Sequence, residues 1–163
     1  MLFLKVYYRF IGAFIKVFYK LLFGKEFQYG KKFHMRAHFH VTVENQGRII
    51  IGDNCFFNND CAVHCRKQIT IGDNCIFGEN VRIYDHNHNY KDRDKLIKDQ
   101  GFHELPIIIG RNCWIGSNTV ILSGVSIGDN VIIGANSLIR TDIPSNHLVY
   151  QKAKLEMKEI HYE

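Results

Sequence analysis

The chain has five cysteines but no Cys-x-x-Cys pair, so their spacing gives no ground for a zinc or dithiol site. It also lacks a charge-free apolar run long enough to cross a bilayer. Leu2 to Phe23 is apolar and aromatic but carries Lys5, Arg9, Lys16 and Lys20, and a membrane span does not hold four charges at such depth. These charges, with no small-residue cleavage site behind them, also argue against a signal peptide. Acidic residues are nearly missing from one end: residues 1–36 hold eight Lys/Arg and one Glu, whereas the remaining 127 hold thirteen and fifteen. The net charge of +5 therefore belongs to the N-terminus and does not call for a nucleic-acid partner along the rest of the chain.

What the chain has in abundance is a repeat. Isoleucine returns at every sixth position as Ile109, Ile115, Ile121, Ile127, Ile133 and Ile139. Gly follows four of these, Asn stands fourth at 112, 118, 130 and 136, and the fifth place is small or slender. On an α-helix six residues turn the chain by about 600°, which scatters such isoleucines over three faces. In extended chain six is an even offset, so all of them point one way, and the fifth-place residue points with them. Gly and Asn tolerate the left-handed φ of tight corners. The pattern predicts short strands turning every six residues around one stacked interior, a parallel β-helix.

The hexads begin at Ile51, continue through Phe57 and Val63, slip by two residues, and resume at Ile71, Phe77 and Ile83. From Ile83 to Ile109 is 26 residues, and the polar segment between them, about 84–106, reads as a structureless loop thrown out of the solenoid. A loop of that length is usually functional or disordered, and this one opens with Asp85, His86 and His88. Cys55, Cys61, Cys75 and Cys113 fill fifth places, where a small interior thiol packs well; free thiols suit a reducing, cytoplasmic compartment. His34, His38 and His40 alternate, which predicts one strand face. Pro144 ends the ladder, and Lys152 to Ile160 reads as a short capping helix.

Residues 2–23 predict a helix. Its four basic residues fall within about 60° of one another, and the rest of the circumference is apolar. Either this helix packs on the solenoid or a partner subunit, or it lies on an anionic membrane surface.

With these features and the run Cys113-Trp114-Ile115-Gly116-Ser117-Asn118, the sequence resembles the hexapeptide-repeat acyltransferases over residues 39–150. It is most similar to galactoside- and maltose-type O-acetyltransferases and to those acting on surface polysaccharides. The resemblance implies an all-β, left-handed parallel β-helix and a homotrimer with active sites between subunits. It implies acetyl-CoA as acyl donor, no resident metal, and a small-molecule sugar acceptor. His88 matches the catalytic base; spacing alone ranks His86 and His88 alike. On the acceptor side, Asn58 matches the family's contacting amide. Asp85 reads as orienting a histidine or touching the acceptor, and His86, with Phe102, His103 and Glu104 at the far end of the loop, as lining its pocket. On the coenzyme side, Trp114, Gly116 and Ser117 match the pantetheine stretch, Gly134 and Ala135 the close approach, and Arg140 and Thr141 the phosphate and adenine neighbourhood. The family's Gly-x-Pro-Ala turn is replaced by Gln151-Lys152-Ala153-Lys154, which leaves Lys154 as a candidate phosphate partner.

The expected organisation is a basic N-terminal helix and connection (1–36), the β-helix (37–144) and a C-terminal cap (145–163). The expected function is sugar O-acetylation, acting on a surface-polysaccharide or lipid-linked precursor, in the cytoplasm or peripherally on its membrane through residues 1–24. N-acetylation of an amino sugar or antibiotic is open on the same fold. A γ-type carbonic anhydrase would need three converging histidines, for which only His64, His86 and His88 stand, and a non-catalytic scaffold is the remaining alternative.

Overall fold

The computed structural model describes residues 2–152 and 157–159. Helix α1 (Leu2–Phe23) is followed by a solenoid whose short strands form three parallel walls. The first wall stacks Phe27–Tyr29, Arg48–Ile51, Gln68–Ile71, Ile107–Ile109 and Ser126–Ile127. The second stacks His34–Met35, Phe56–Phe57, Ile76–Phe77, Trp114–Ile115, Ile132–Ile133 and Leu148–Val149. The third stacks His40–Val43, Ala62–Cys65, Arg82–Tyr84, Val120–Ile121 and Leu138–Ile139. Consecutive hexads thus supply consecutive walls, as the stride of six requires.

Register carries the pattern into the core. Ile51, Ile71, Ile109 and Ile127 align in the first wall, and Val63, Ile83, Ile121 and Ile139 in the third. Phe57 and Phe77 align in the second with rings stacked 4.0 Å apart. All of these side chains are buried. The fifth-place residues Cys55, Cys61, Cys75, Cys113, Thr119 and Ser137 are buried as well. Burial pushes the Cys61 thiol up to about 11, so it stays protonated and serves as packing. The corners take positive φ at Asn54, Asn74, Asn112 and Asn130 among others, and their amides hydrogen-bond from coil to coil, Asn112 to Asn130 at 2.8 Å and Asn130 to Asn146 at 3.0 Å.

The solenoid starts at Phe27, ahead of the boundary expected at residue 37. The stride of six already runs through Tyr29, Met35 and Val41, which align with Ile51, Phe57 and Val63. Bulky Phe27, Phe33 and Phe39 accompany them and are buried. Large rings are tolerated there because this coil lies at the end of the stack, where they fill the opening beneath α1. His34, His38 and His40 do not share a strand: His34 is on the second wall, His40 on the third, and His38 turns the corner between them with φ 57° and pairs with Asp60.

The coils differ in length at one place only. Aligned first-wall residues are separated by 22 positions (Tyr29 to Ile51), 20 (Ile51 to Ile71), 38 (Ile71 to Ile109) and 18 (Ile109 to Ile127). Within each coil the walls stay six apart, so every extra residue lies at the corner leading from the third wall back to the first. The largest insertion is not structureless. His86–His88 pairs antiparallel with Phe102–Glu104, and a 3-10 turn spans Ile97–Asp99.

At the C-terminal end, Leu148–Val149 adds one more strand beyond Pro144. Of the helix expected at 152–160, Lys152 and residues 157–159 are irregular, and the rest, with Lys154, lies outside the described residues.

Candidate active site

Asp85 anchors the corner from which the hairpin leaves. Its side chain is 0% exposed. The carboxylate accepts from the backbone N–H groups of Arg66 (2.8 Å), Lys67 (2.7 Å) and Gln68 (2.9 Å), and from the Cys65 thiol (3.3 Å). These donors belong to the two-residue slip of the previous coil, so one buried carboxylate closes the irregular turn beneath it. Such a group is tolerated inside because its oxygens are paired with donors. Of the two roles expected for Asp85, orienting a histidine has its geometry here: His86 Nδ1 lies 3.0 Å from Asp85 Oδ1. A neutral His86 ring that donates from Nδ1 to this carboxylate keeps the lone pair on Nε2. Contact with an acceptor is closed to Asp85 by its burial.

Phe102, on the returning strand, is the centre of the outer cluster. The ring of His88 lies 4.4 Å from it, that of His86 meets its edge at 5.4 Å, and the Arg66 guanidinium sits over it at 3.9 Å. Glu104 accepts from Arg66 Nε (2.8 Å) and from the Asn45 amide (3.1 Å), and Glu44 also pairs with Arg66. Asn45, Arg66 and Glu104 come from the three irregular corners, one above another, so the insertions brace each other. Phe102 and Glu104 thus meet at the far end of the insertion as expected of pocket-lining residues, whereas Arg66 carries no signal in the sequence, because nothing in a hexad count brings residue 66 beside residue 102. His88 is exposed and lines an open hollow of about 850 Å³ with Tyr90, Asp92, Gln100 and His103.

On the outer face of the third wall His64 stacks on Tyr84 at 4.9 Å. Burial, then the nearby His40, His86 and Arg82, hold its pKa below the ordinary histidine value, against an opposing pull from Glu44.

The remaining candidates gather at other corners. Asn58, Gly116, Ser117, Gly134 and Ala135 all follow the second wall and form one column along the corner to the third. Asn58 accepts from Arg36 at 3.0 Å. The Ser117 hydroxyl accepts from the Glu79 N–H at 3.1 Å. A Cβ on Gly116 would meet the Ala135 nitrogen at 2.5 Å, so coil stacking by itself requires glycine there. Trp114 stands 52% exposed on the outer second wall beside Ile76 and Ile132, an apolar ridge next to this column. Arg140 and Thr141 are exposed just past the last third-wall strand. Within one chain, then, Asn58 and the Gly116–Ser117 column lie along one edge of the third wall, while His86, His88 and Glu104 lie along the other. Among the described residues no three His, Cys, Asp or Glu side chains gather into a metal-binding group.

Residues 106–141 match the bacterial transferase hexapeptide family (six repeats), and residues 68–83 the hexapeptide repeat of succinyl-transferase. The galactoside O-acetyltransferase of Escherichia coli K12 is 41% identical over 124 residues, covering 76% of this chain and 49% of that protein. Among solved structures, a hexapeptide-repeat-containing acetyltransferase from Vibrio cholerae, VCA0836, is 30% identical with a TM-score of 0.70, covering 86% of this chain and 76% of that one. A galactoside acetyltransferase in complex with coenzyme A is 32% identical with a TM-score of 0.71, covering 81% and 64%. The chain spans about half the length of the galactoside enzyme it matches in sequence.

Proposed function

The chain belongs to the hexapeptide-repeat acetyltransferases, and on that premise we propose that it transfers an acetyl group from acetyl-CoA to a sugar hydroxyl. The observation that carries this reading is the setting of His88, an exposed imidazole backed by Phe102 at the rim of a hollow in the one excursion from the solenoid. A hydroxyl is a weak nucleophile near neutral pH and needs a base whose own pKa lies near that range. A ring nitrogen of His88 takes the hydroxyl proton as the oxygen attacks the thioester carbonyl. The new O–C bond forms, the C–S bond breaks, and the proton passes to the departing coenzyme thiolate. A backbone N–H beside Ser117 is our choice for the oxyanion donor. Trp114 and the column through Gly134 and Ala135 are our choice for the wall beside the pantetheine, and Arg140 and Thr141 for the phosphate end.

The separation of His88 from that column, at opposite edges of the third wall, supports a homotrimer. In it the hairpin of one subunit faces the column of the next, and Asn58 approaches the acceptor from the neighbouring chain. The acceptor we favour is a surface-polysaccharide or lipid-linked precursor on the cytoplasmic side, where acetyl-CoA is made. A second base is favoured by one observation: His86 Nδ1 lies against the Asp85 carboxylate, and a neutral ring donating there presents Nε2 ready to accept a proton.

An acceptor screen with acetyl-CoA, following released thiol, tests the proposal. Turnover with a sugar alcohol and a drop of about 10²–10⁴ in His88→Ala are expected. Loss in His86→Ala with His88→Ala active moves the base to His86. No thiol release with any sugar, or full activity in both variants, overturns it.

A further inference from the structure

Helix α1 lies across the open end of the first coil and touches all three walls. The Tyr19 hydroxyl donates to the Phe39 carbonyl and accepts from the Val41 N–H. Lys16 Nζ reaches the Phe33 carbonyl, and Lys20 Nζ the Phe27 carbonyl. A Cβ on Gly12 would meet the Met35 carbonyl oxygen at 2.9 Å, so the helix is seated closely. The ammonium groups of Lys16 and Lys20 are thus turned onto the end of the solenoid. What faces outward is apolar: Phe3, Phe10, Phe14, Val17, Leu21 and Leu22 are all more than half exposed, Phe10 and Phe14 at 74% and Leu21 at 82%. No described helix is long and apolar enough to cross a membrane.

We infer that this face docks the enzyme flat on an anionic lipid bilayer. Charge chooses this occupant over a second copy of the chain. The end that bears the face holds eight basic residues to one acidic through residue 36, with Lys25, Lys31 and Lys32 exposed around it. Two copies meeting face to face would press like charges together, whereas phosphate headgroups complement them. A helix bearing Phe and Leu outward with basic residues at its margin is suited to the headgroup boundary.

The docking fixes an orientation. The solenoid stands on the membrane by its first coil, and the hairpin with His88 leaves after the third. Three coils at ~4.8 Å and a helix of ~10 Å diameter set His88 ~25 Å from the lipid. That height suits the sugars of a lipid-anchored glycan rather than a headgroup itself. The inference deepens the acetyltransferase reading and rests on it for the acceptor; the docking itself involves no turnover, so either can fail alone.

Flotation of the full chain with vesicles of phosphatidylglycerol and phosphatidylcholine in equal parts, and with phosphatidylcholine alone, tests it. Binding to the anionic vesicles and weak binding to the neutral ones are expected. Phe10→Glu with Phe14→Glu should abolish it, with the circular dichroism of the solenoid unchanged. Each of Lys25→Gln, Lys31→Gln and Lys32→Gln should weaken it about fivefold. Failure of the parent chain to float with either vesicle overturns the inference, as does equal binding by the doubly substituted chain. So does sedimentation showing that the double substitution halves a soluble assembly while the parent binds no lipid, which makes the face an interface between copies.

Discussion

From Ile109 to Ile139 each wall is six residues from the next, and the corner amides of Asn112, Asn130 and Asn146 run in a continuous ladder. From Tyr29 to Ile109 the same walls are built on the same stride, but four, two and twenty extra residues are taken up, all where the third wall turns into the first. The regular half is stabilised by repetition: every coil satisfies its neighbour with the same groups. The irregular half keeps an amide pair at that corner, Asn54 to Asn74 at 2.9 Å, and closes its lengthened corner with unlike parts, a buried carboxylate and an Arg66–Glu104 pair. His86, His88 and Glu104 collect there, where the chain leaves the prism, while the column from Asn58 to Ser117 lies along the other edge of the third wall.

The comparison can be broken most severely at His88. His88→Ala should lower turnover by about 10²–10⁴ while leaving the unfolding midpoint unchanged, since the exposed ring supports nothing in the walls. In the regular half the expectation is reversed. Ile121→Ala removes a fully buried side chain and should cost about 2–5 kcal/mol of stability, measured by denaturant unfolding, with the KM for acceptor unaltered. Asp85→Ala should affect both properties. It leaves three backbone N–H groups without a partner, a loss of about 2–4 kcal/mol, and it frees His86, so a shifted pH–rate profile should accompany the lower midpoint. A smaller effect is expected at a single rung: Asn130→Ala removes two amide bonds at a left-handed corner and should cost about 1–2 kcal/mol.

The smallest and sharpest test is pH. His64 has its folded pKa held below 6.5, chiefly by burial, so the unfolded chain binds the proton more readily. Stability from this group is fully present above about pH 6.5 and is lost as pH falls through that value toward the folded pKa. The denaturation midpoint should decline between pH 7 and 5.5, and His64→Gln should flatten part of the decline. His34, lowered first by burial and then by Lys16 and Arg9, contributes with the same sign.

The hexads from Ile51 onward were legible because one side-chain period maps onto one wall. The first coil was not, because Tyr29, Met35 and Val41 replace the isoleucines and Phe rings replace the small fifth-place residues; at the end of a stack the packing limit that selects small residues is relaxed. His86 and His88 stood out by type, but their surroundings did not. Arg66, Phe102 and Asp85 meet only once two insertions of different length are stacked, and no local pattern encodes that. The basic strip of α1 is visible in the sequence, but where it points is not, since the carbonyl edge that receives Lys16 and Lys20 belongs to a coil that the hexad count does not reach.

Because every surplus residue enters at a single hinge between two walls, the length of one turn is independent of the register of the next. A segment of new size and composition inserted there would leave the isoleucine columns in step. That one segment can therefore be exchanged between relatives, with the prism acting as an indifferent host.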